Sequence, residues 1–157
     1  MKKLVYISSD WYFDTDMTIL HKLAEVYDLY WFVYSHKEKP RVKEDILRSY
    51  ANLYKINCSI LQSKNKHLSP FRIFEFCRLA QIIKKVNPDL IVKIEPDFYF
   101  NVALKMFLNN IPVVHCLHDV EVHSGTHNSR IRQWSIDLTV KANKNFIVYS
   151  NFQKRMI

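Results

Sequence analysis

Residues 111–128 hold the densest chemistry in this chain. Ile111, Pro112, Val113 and Val114, then Cys116 and Leu117 around His115, run straight into His118, Asp119, His123 and His127. Counting His115, four of the seven histidines lie in this stretch, with the only glycine, Gly125. Imidazole ordinarily titrates near neutrality, so a histidine here can donate to or accept from a substrate hydroxyl, and a neighbouring carboxylate can fix its tautomer. His118 and Asp119 are the catalytic candidates, with His123 as a substrate contact. Three uses are open. His115, His118, Asp119, His123 and His127 could ligate a metal, although their spacing matches no standard zinc pattern. The loop could be polar without a function. It could also be a substrate site, and this use is preferred because open α/β sheets bind ligands beyond the carboxyl ends of their strands. No metal is expected.

Other strand ends carry polar groups of the same kind. Ser8, Ser9 and Asp10 follow the run at 4–7, Glu95 and Asp97 follow the run at 89–94, and Ser150 follows the run at 145–149. In a parallel sheet these ends share one rim. Trp11, Tyr12 and Phe13 are unusual for a solvent-facing turn: they are either buried or stack on a ring-shaped or lipid-like acceptor. Several chemistries lack their signature. No G-x-x-x-x-G-K-[ST], G-x-G-x-x-G or G-x-S-x-G occurs, so a phosphate must be held without a glycine-rich loop and a serine hydrolase is disfavoured. Cys58, Cys77 and Cys116 sit in apolar contexts and read as reduced thiols of a cytoplasmic protein.

Positioning these groups falls to an alternation of β-rich runs and helical periods. Strands are expected at 4–7, 29–34, 58–61, 89–94, 111–117 and 145–149. Helices are expected at 16–26 with Thr15 or Asp16 as cap, and at 41–54, 69–86, 98–108 and 131–142. That order implies an α/β fold with a Rossmann-like, doubly wound, mostly parallel sheet flanked by helices. At 157 residues one domain is expected. Ser150 would cap a helix over 151–157, and a chain stopping inside that helix reads as the front portion of a longer protein. The net charge of +8 implies an anionic neighbour. The helix at 69–86 would lay Phe71, Phe74, Leu79, Ile82, Ile83 and Val86 against the sheet. Its cations Arg72, Arg78, Lys84 and Lys85, with Lys64 and Lys66 before them, could then reach anionic lipid headgroups.

Taken together, K-L-V-Y-I-S-S, D-L-I-V-K-I-E, P-V-V-H-C-L-H-D and N-F-I-V-Y-S-N-F-Q-K-R-M-I resemble, in order and spacing, the N-terminal domain of the retaining, nucleotide-sugar-dependent GT-B glycosyltransferases (glycosyltransferase family 4-like). The resemblance covers essentially the whole chain. It implies one half of a GT-B fold that binds a glycan or lipid-linked acceptor for cell-surface polysaccharide synthesis. A second Rossmann-like domain, carrying an E-x7-E motif absent from this chain, would bind the nucleotide sugar, so this half alone is expected to be inactive. The resemblance gives His118 a place beside the acceptor and the transferred sugar, with Asp119 next to it. It also matches Ser9 and Asp10 to first-loop positions that face the donor phosphates, and Asp10, Trp11, Glu95 and His123 are the acceptor-binding candidates. No metal or organic cofactor is implied, and no nucleic acid is expected as partner. The implied location is cytoplasmic, at the inner face of the membrane. The alternative is a non-catalytic α/β binding module that contacts anionic membrane or RNA through its basic surface.

Overall fold

Leu4, Val5, Tyr6 and Ile7 offer apolar side chains to both sides of an extended chain, as a strand buried on both faces requires. A computed structural model, describing residues 1–65, 69–94, 97–117, 129–143 and 145–148, places them in β1 (Lys3–Ser9), near the middle of the sheet. The other strands are β2 (Asp28–His36), β3 (Asn57–Ser63), β4 (Leu90–Ile94), β5 (Val113–Leu117) and β6 (Phe146–Val148). They pair in the order β3-β2-β1-β4-β5-β6, and every pairing is parallel. This is the doubly wound, Rossmann-like arrangement that the alternating runs imply.

Side chains alternate across each strand, and two cores result. Leu4, Tyr6, Trp31 and Val33 face α1 (Phe13–Val26) and α2 (Glu44–Leu53), represented in that core by Phe13, Leu20, Leu47 and Ala51. Val5, Ile7, Phe32 and Ile91 face the opposite core. There α3 (Arg72–Val86) contributes Phe76, Leu79, Ala80 and Ile83, one stripe at helical spacing. The helix α4 (Phe98–Phe107) adds Phe100, Ala103 and Leu104, and α5 (Ser129–Ala142) leads into β6. Asn87 ends α3 in the left-handed conformation (φ 53°, ψ 62°) that asparagine tolerates, with Pro88 behind it.

The start of α1 differs from the expected capped helix. A short 3-10 turn over Asp10–Tyr12 precedes α1, and the helix begins at Phe13. Phe13 is buried, stacks on Trp31 at 6.3 Å and meets Tyr50 edge-on at 5.9 Å. That anchor pulls the helix start forward, so Asp16 lies within the first turn and points into the core. Of the aromatic triplet, Phe13 is buried, Tyr12 is partly buried and Trp11 is exposed.

Cys58, Cys77 and Cys116 are free thiols. Among the described residues, no helix is long and apolar enough to cross a membrane.

Candidate functional site

The chain leaves β1 toward one face of the sheet and leaves β4 toward the other, so a crevice opens between their carboxyl ends. This switch point is where open α/β sheets take ligands. A cavity of about 30 Å³ lies there, lined among others by Ser9, Tyr34, Arg72, Lys93 and Asp97.

Asp97 fixes one wall. Its side chain caps α4 by accepting from the Phe100 amide at 3.1 Å, and its Oδ2 lies 3.2 Å from Arg72 Nη2. Arg72 opens α3 and is only 3% exposed. Its guanidinium spreads over the rings of Tyr34 (4.7 Å) and Phe76 (5.0 Å), so the charge is enclosed by π-faces and a carboxylate. Lys93, also buried, donates to Asn101 Oδ1 at 2.8 Å and lies over the Phe100 ring. Asn101 donates in turn to Thr139 Oγ1 at 2.6 Å, tying the site to α5. Glu75 stands behind Tyr34, accepting from Ser63, Asn65 and the Tyr34 hydroxyl. Burial is the main cause raising the Tyr34 phenol above its ordinary value.

The carboxyl end of β1 forms the other wall. Ser8 Oγ accepts from Trp31 Nε1 at 3.0 Å and donates to Asp16 at 2.6 Å. Tyr6 Oη donates to the other Asp16 oxygen at 2.9 Å. Burial raises Asp16 to about 7 against the pull of those two hydroxyls. Ser9 is extended, and its buried Oγ has no hydrogen-bond partner among the described residues.

Of the residues read from the sequence, Ser9, Asp10 and Trp11 come together on this rim. Asp10 is turned inward, its Oδ2 accepting from Ser35 Oγ at 2.7 Å and from the Arg41 amide at 2.8 Å. Trp11 is 66% exposed with the Arg41 guanidinium 4.8 Å from its ring centre. Glu95, His118, Asp119 and His123 lie outside the described residues, as do His127 and Ser150. In sequence, Glu95 and His118 directly follow the last residues of β4 and β5.

His115 sits mid-strand in register with Lys93. Its ring lies against Phe146, and its Nε2 has no hydrogen-bond partner among the described residues. Burial first, and the Lys93 charge second, lower its pKa to about 3, so the imidazole is neutral at physiological pH.

Two site cations escape the sequence reading. Arg72 is grouped there with the lipid-facing cations of its helix, but it faces inward and holds Asp97, while Arg78, Lys84 and Lys85 are exposed. Lys93 is passed over inside an apolar run. A lysine in a strand otherwise buried on both faces is itself a signal, because an unpaired charge there is costly.

No family model matches the sequence, and no curated protein matches it. Solved structures share the fold. The Neisseria meningitidis UDP-GlcNAc 2-epimerase bound to UDP-GlcNAc superposes with a TM-score of 0.68 at 14% identity, over 99% of this chain and 42% of that one. An S. aureus MnaA–UDP co-structure gives 0.65 at 13% identity, over 99% of this chain and 41% of that one. An isoflavone reductase gives 0.52 at 12% identity, over 90% of this chain and 46% of that one. This chain thus spans about two fifths of the length of the first two, and what the three likenesses share is the Rossmann-like fold.

Proposed function

We propose that this chain is the acceptor-side half of a glycosyltransferase that moves a sugar from a nucleotide-sugar donor to a glycan or lipid-linked acceptor. The observation carrying this reading is the polar crevice at the β1/β4 switch point, where Ser9, Arg72, Lys93 and Asp97 gather. Solved structures of this fold that hold UDP or UDP-GlcNAc support the substrate class, and their greater length supports a second, donor-binding domain.

In this reading His118, next along the chain from β5, accepts the proton that the acceptor hydroxyl loses as it attacks, and Asp119 fixes the imidazole tautomer. Asp10, Trp11, Glu95 and His123 complete the acceptor side, and Ser9 faces the donor. No metal or organic cofactor is required, because cationic side chains and helix dipoles can neutralise a leaving diphosphate. The outward face of α3 suits peripheral contact with an anionic membrane: Phe71, Phe74 and Ile82 are exposed beside Arg78 and Lys85.

A nucleotide-sugar epimerase is the second reading, favoured by the epimerase among the structures of this fold. The test is product analysis of the full gene product supplied with UDP-GlcNAc, with and without a membrane-lipid extract as acceptor. Label transferred to lipid or glycan supports transfer. An epimer formed without acceptor supports the second reading. If neither appears across a panel of nucleotide sugars, both readings fail.

A further inference from the structure

We infer that Lys93 is a positioning residue for the reaction at the rim: through Asn101 and Thr139 it fixes the start of α4, capped by Asp97, against α5. The kinetic consequence of this role rests on the transfer reading, while its structural consequence does not.

Lys93 is an unusual residue for its place. It lies in β4 between Val92 and Ile94 and is 2% exposed. A methionine would fill similar space there without burying a charge, which is costly. What the ammonium adds is direction. It donates to Asn101 Oδ1 at 2.8 Å and to the Asp97 carbonyl oxygen at 3.5 Å. A lysine can only donate, so the Asn101 amide must turn its oxygen toward β4 and its NH2 away. That NH2 donates to Thr139 Oγ1 at 2.6 Å. The Thr139 hydroxyl, an acceptor in that bond, donates in turn to the Ser135 carbonyl at 2.8 Å. The four residues form one chain with a single donor direction, from β4 through α4 into α5. In such a chain each hydrogen bond polarises the next and holds its orientation.

Both ends of the chain bear on the rim. At one end the Asp97 carbonyl also accepts from the Asn101 amide at 3.0 Å, while the Asp97 side chain caps α4 and pairs with Arg72. Lys93 therefore grips the turn that forms a wall of the crevice. At the other end Thr139 is buried in α5, the helix that follows His118, Asp119 and His123 in sequence. Glu95 directly follows β4 and His118 directly follows β5. The chain thus ties together the two helices that come after these strand ends. Asn101 and Thr139 are not among the residues lining the cavity, so their influence on a ligand there runs through position rather than contact.

Thr139 is the cleaner probe, because Lys93 itself lines the cavity. Thr139→Val keeps the shape and removes the acceptor for Asn101, and Thr139→Ser keeps the hydroxyl. They are compared with Lys93→Met and with the Lys93→Met/Thr139→Val double variant. Thermal unfolding checks each one, and Thr139→Val carries the test if Lys93→Met does not fold.

In the 157-residue chain, Thr139→Val should shift the backbone amides of residues 97–101, as Lys93→Met does, and Thr139→Ser should leave them near their wild-type positions. The full gene product is then assayed with UDP-GlcNAc and a membrane-lipid extract as acceptor. Thr139→Val should lower kcat at least about tenfold with KM for UDP-GlcNAc unchanged. Thr139→Ser should restore turnover, and the double variant should be no slower than Lys93→Met alone.

Amides at 97–101 unmoved by Thr139→Val would overturn the role. So would losses that multiply in the double variant, or a Thr139→Ser as slow as Thr139→Val. Shifted amides with an unchanged kcat would reduce the chain to a structural tie and overturn it as well. If the wild type transfers no sugar, the transfer reading fails, and the amide shifts decide the positioning of α4 by themselves.

Discussion

Ser8 Oγ donates a 2.6 Å hydrogen bond to Asp16 Oδ2, joining the end of β1 to the first turn of α1 within the core. The same hydroxyl accepts from Trp31 of β2, so the strand end at Ser9 and the turn at Asp10 follow a serine held on both sides. Tyr6, Tyr50 and Cys116 are the titratable groups that face this carboxyl from β1, α2 and β5.

Asp16 makes stability depend on pH. Its folded value, about 7, stands above the ordinary 3.8. Between those values the native state keeps a proton that the unfolded chain has lost, so Asp16 makes stability fall as pH rises through that window. The total is on the order of 4 kcal/mol. Because His115 contributes a slope of opposite sign below pH 6.5, the Asp16 term is read as the difference in urea-unfolding free energy between the wild type and Asp16→Asn, which should shift against the wild type as pH rises from 4 to 7. An Asn variant tracking the wild type at every pH would refute the coupling.

His115 acts with the opposite sign. Its folded value is lowered from 6.5 to about 3, so its contribution is present above pH 6.5 and lost as pH falls below it. In His115→Gln that acid loss should disappear and the Asp16 slope should steepen. Lys93→Met should move the His115 titration upward while leaving it below 6.5, since burial, the larger cause, remains. Imidazole proton shifts measured by NMR against pH would report this. A titration unmoved by Lys93→Met would mean that the charge does not reach the ring.

These groups mark the limit of what the sequence revealed. Apolar runs located all six described strands, most clearly the buried β1, β2, β4 and β5. The polar strand ends were legible at Ser8, Ser9, Asp10 and Asp97, since strand order in a parallel sheet brings carboxyl ends together. Arg72 and Lys93 were not, because the sequence does not say which way one side chain turns at the start of a helix, or what pairs it. Asp16 looked like a cap for the same reason: only the Phe13–Trp31 stack shows that the helix starts earlier.

Arg72 and Asp97 form a buried pair, and removing one partner takes an opposite charge away from the other. Arg72→Met should cost roughly 3–5 kcal/mol in urea unfolding. Asp97→Asn, which keeps an oxygen for the Phe100 amide, should cost clearly less. Equal losses in the two variants would show that the charge pairing is not what holds this wall.

Trp11 separates binding from folding. At 66% exposure it contributes little to the core, so Trp11→Ala should leave stability within about 0.5 kcal/mol of the wild type. In the full gene product the same change should raise KM for the acceptor while leaving KM for the nucleotide sugar unaltered. A variant that loses stability without a change in KM would assign Trp11 to packing.

The most direct test of the central claim is turnover of His118→Ala in the full gene product, measured alongside its unfolding temperature. Loss of an acid–base group at the strand end should cut kcat by at least about a hundredfold with the unfolding temperature little changed. Turnover equal to the wild type would contradict a reaction centred at this rim.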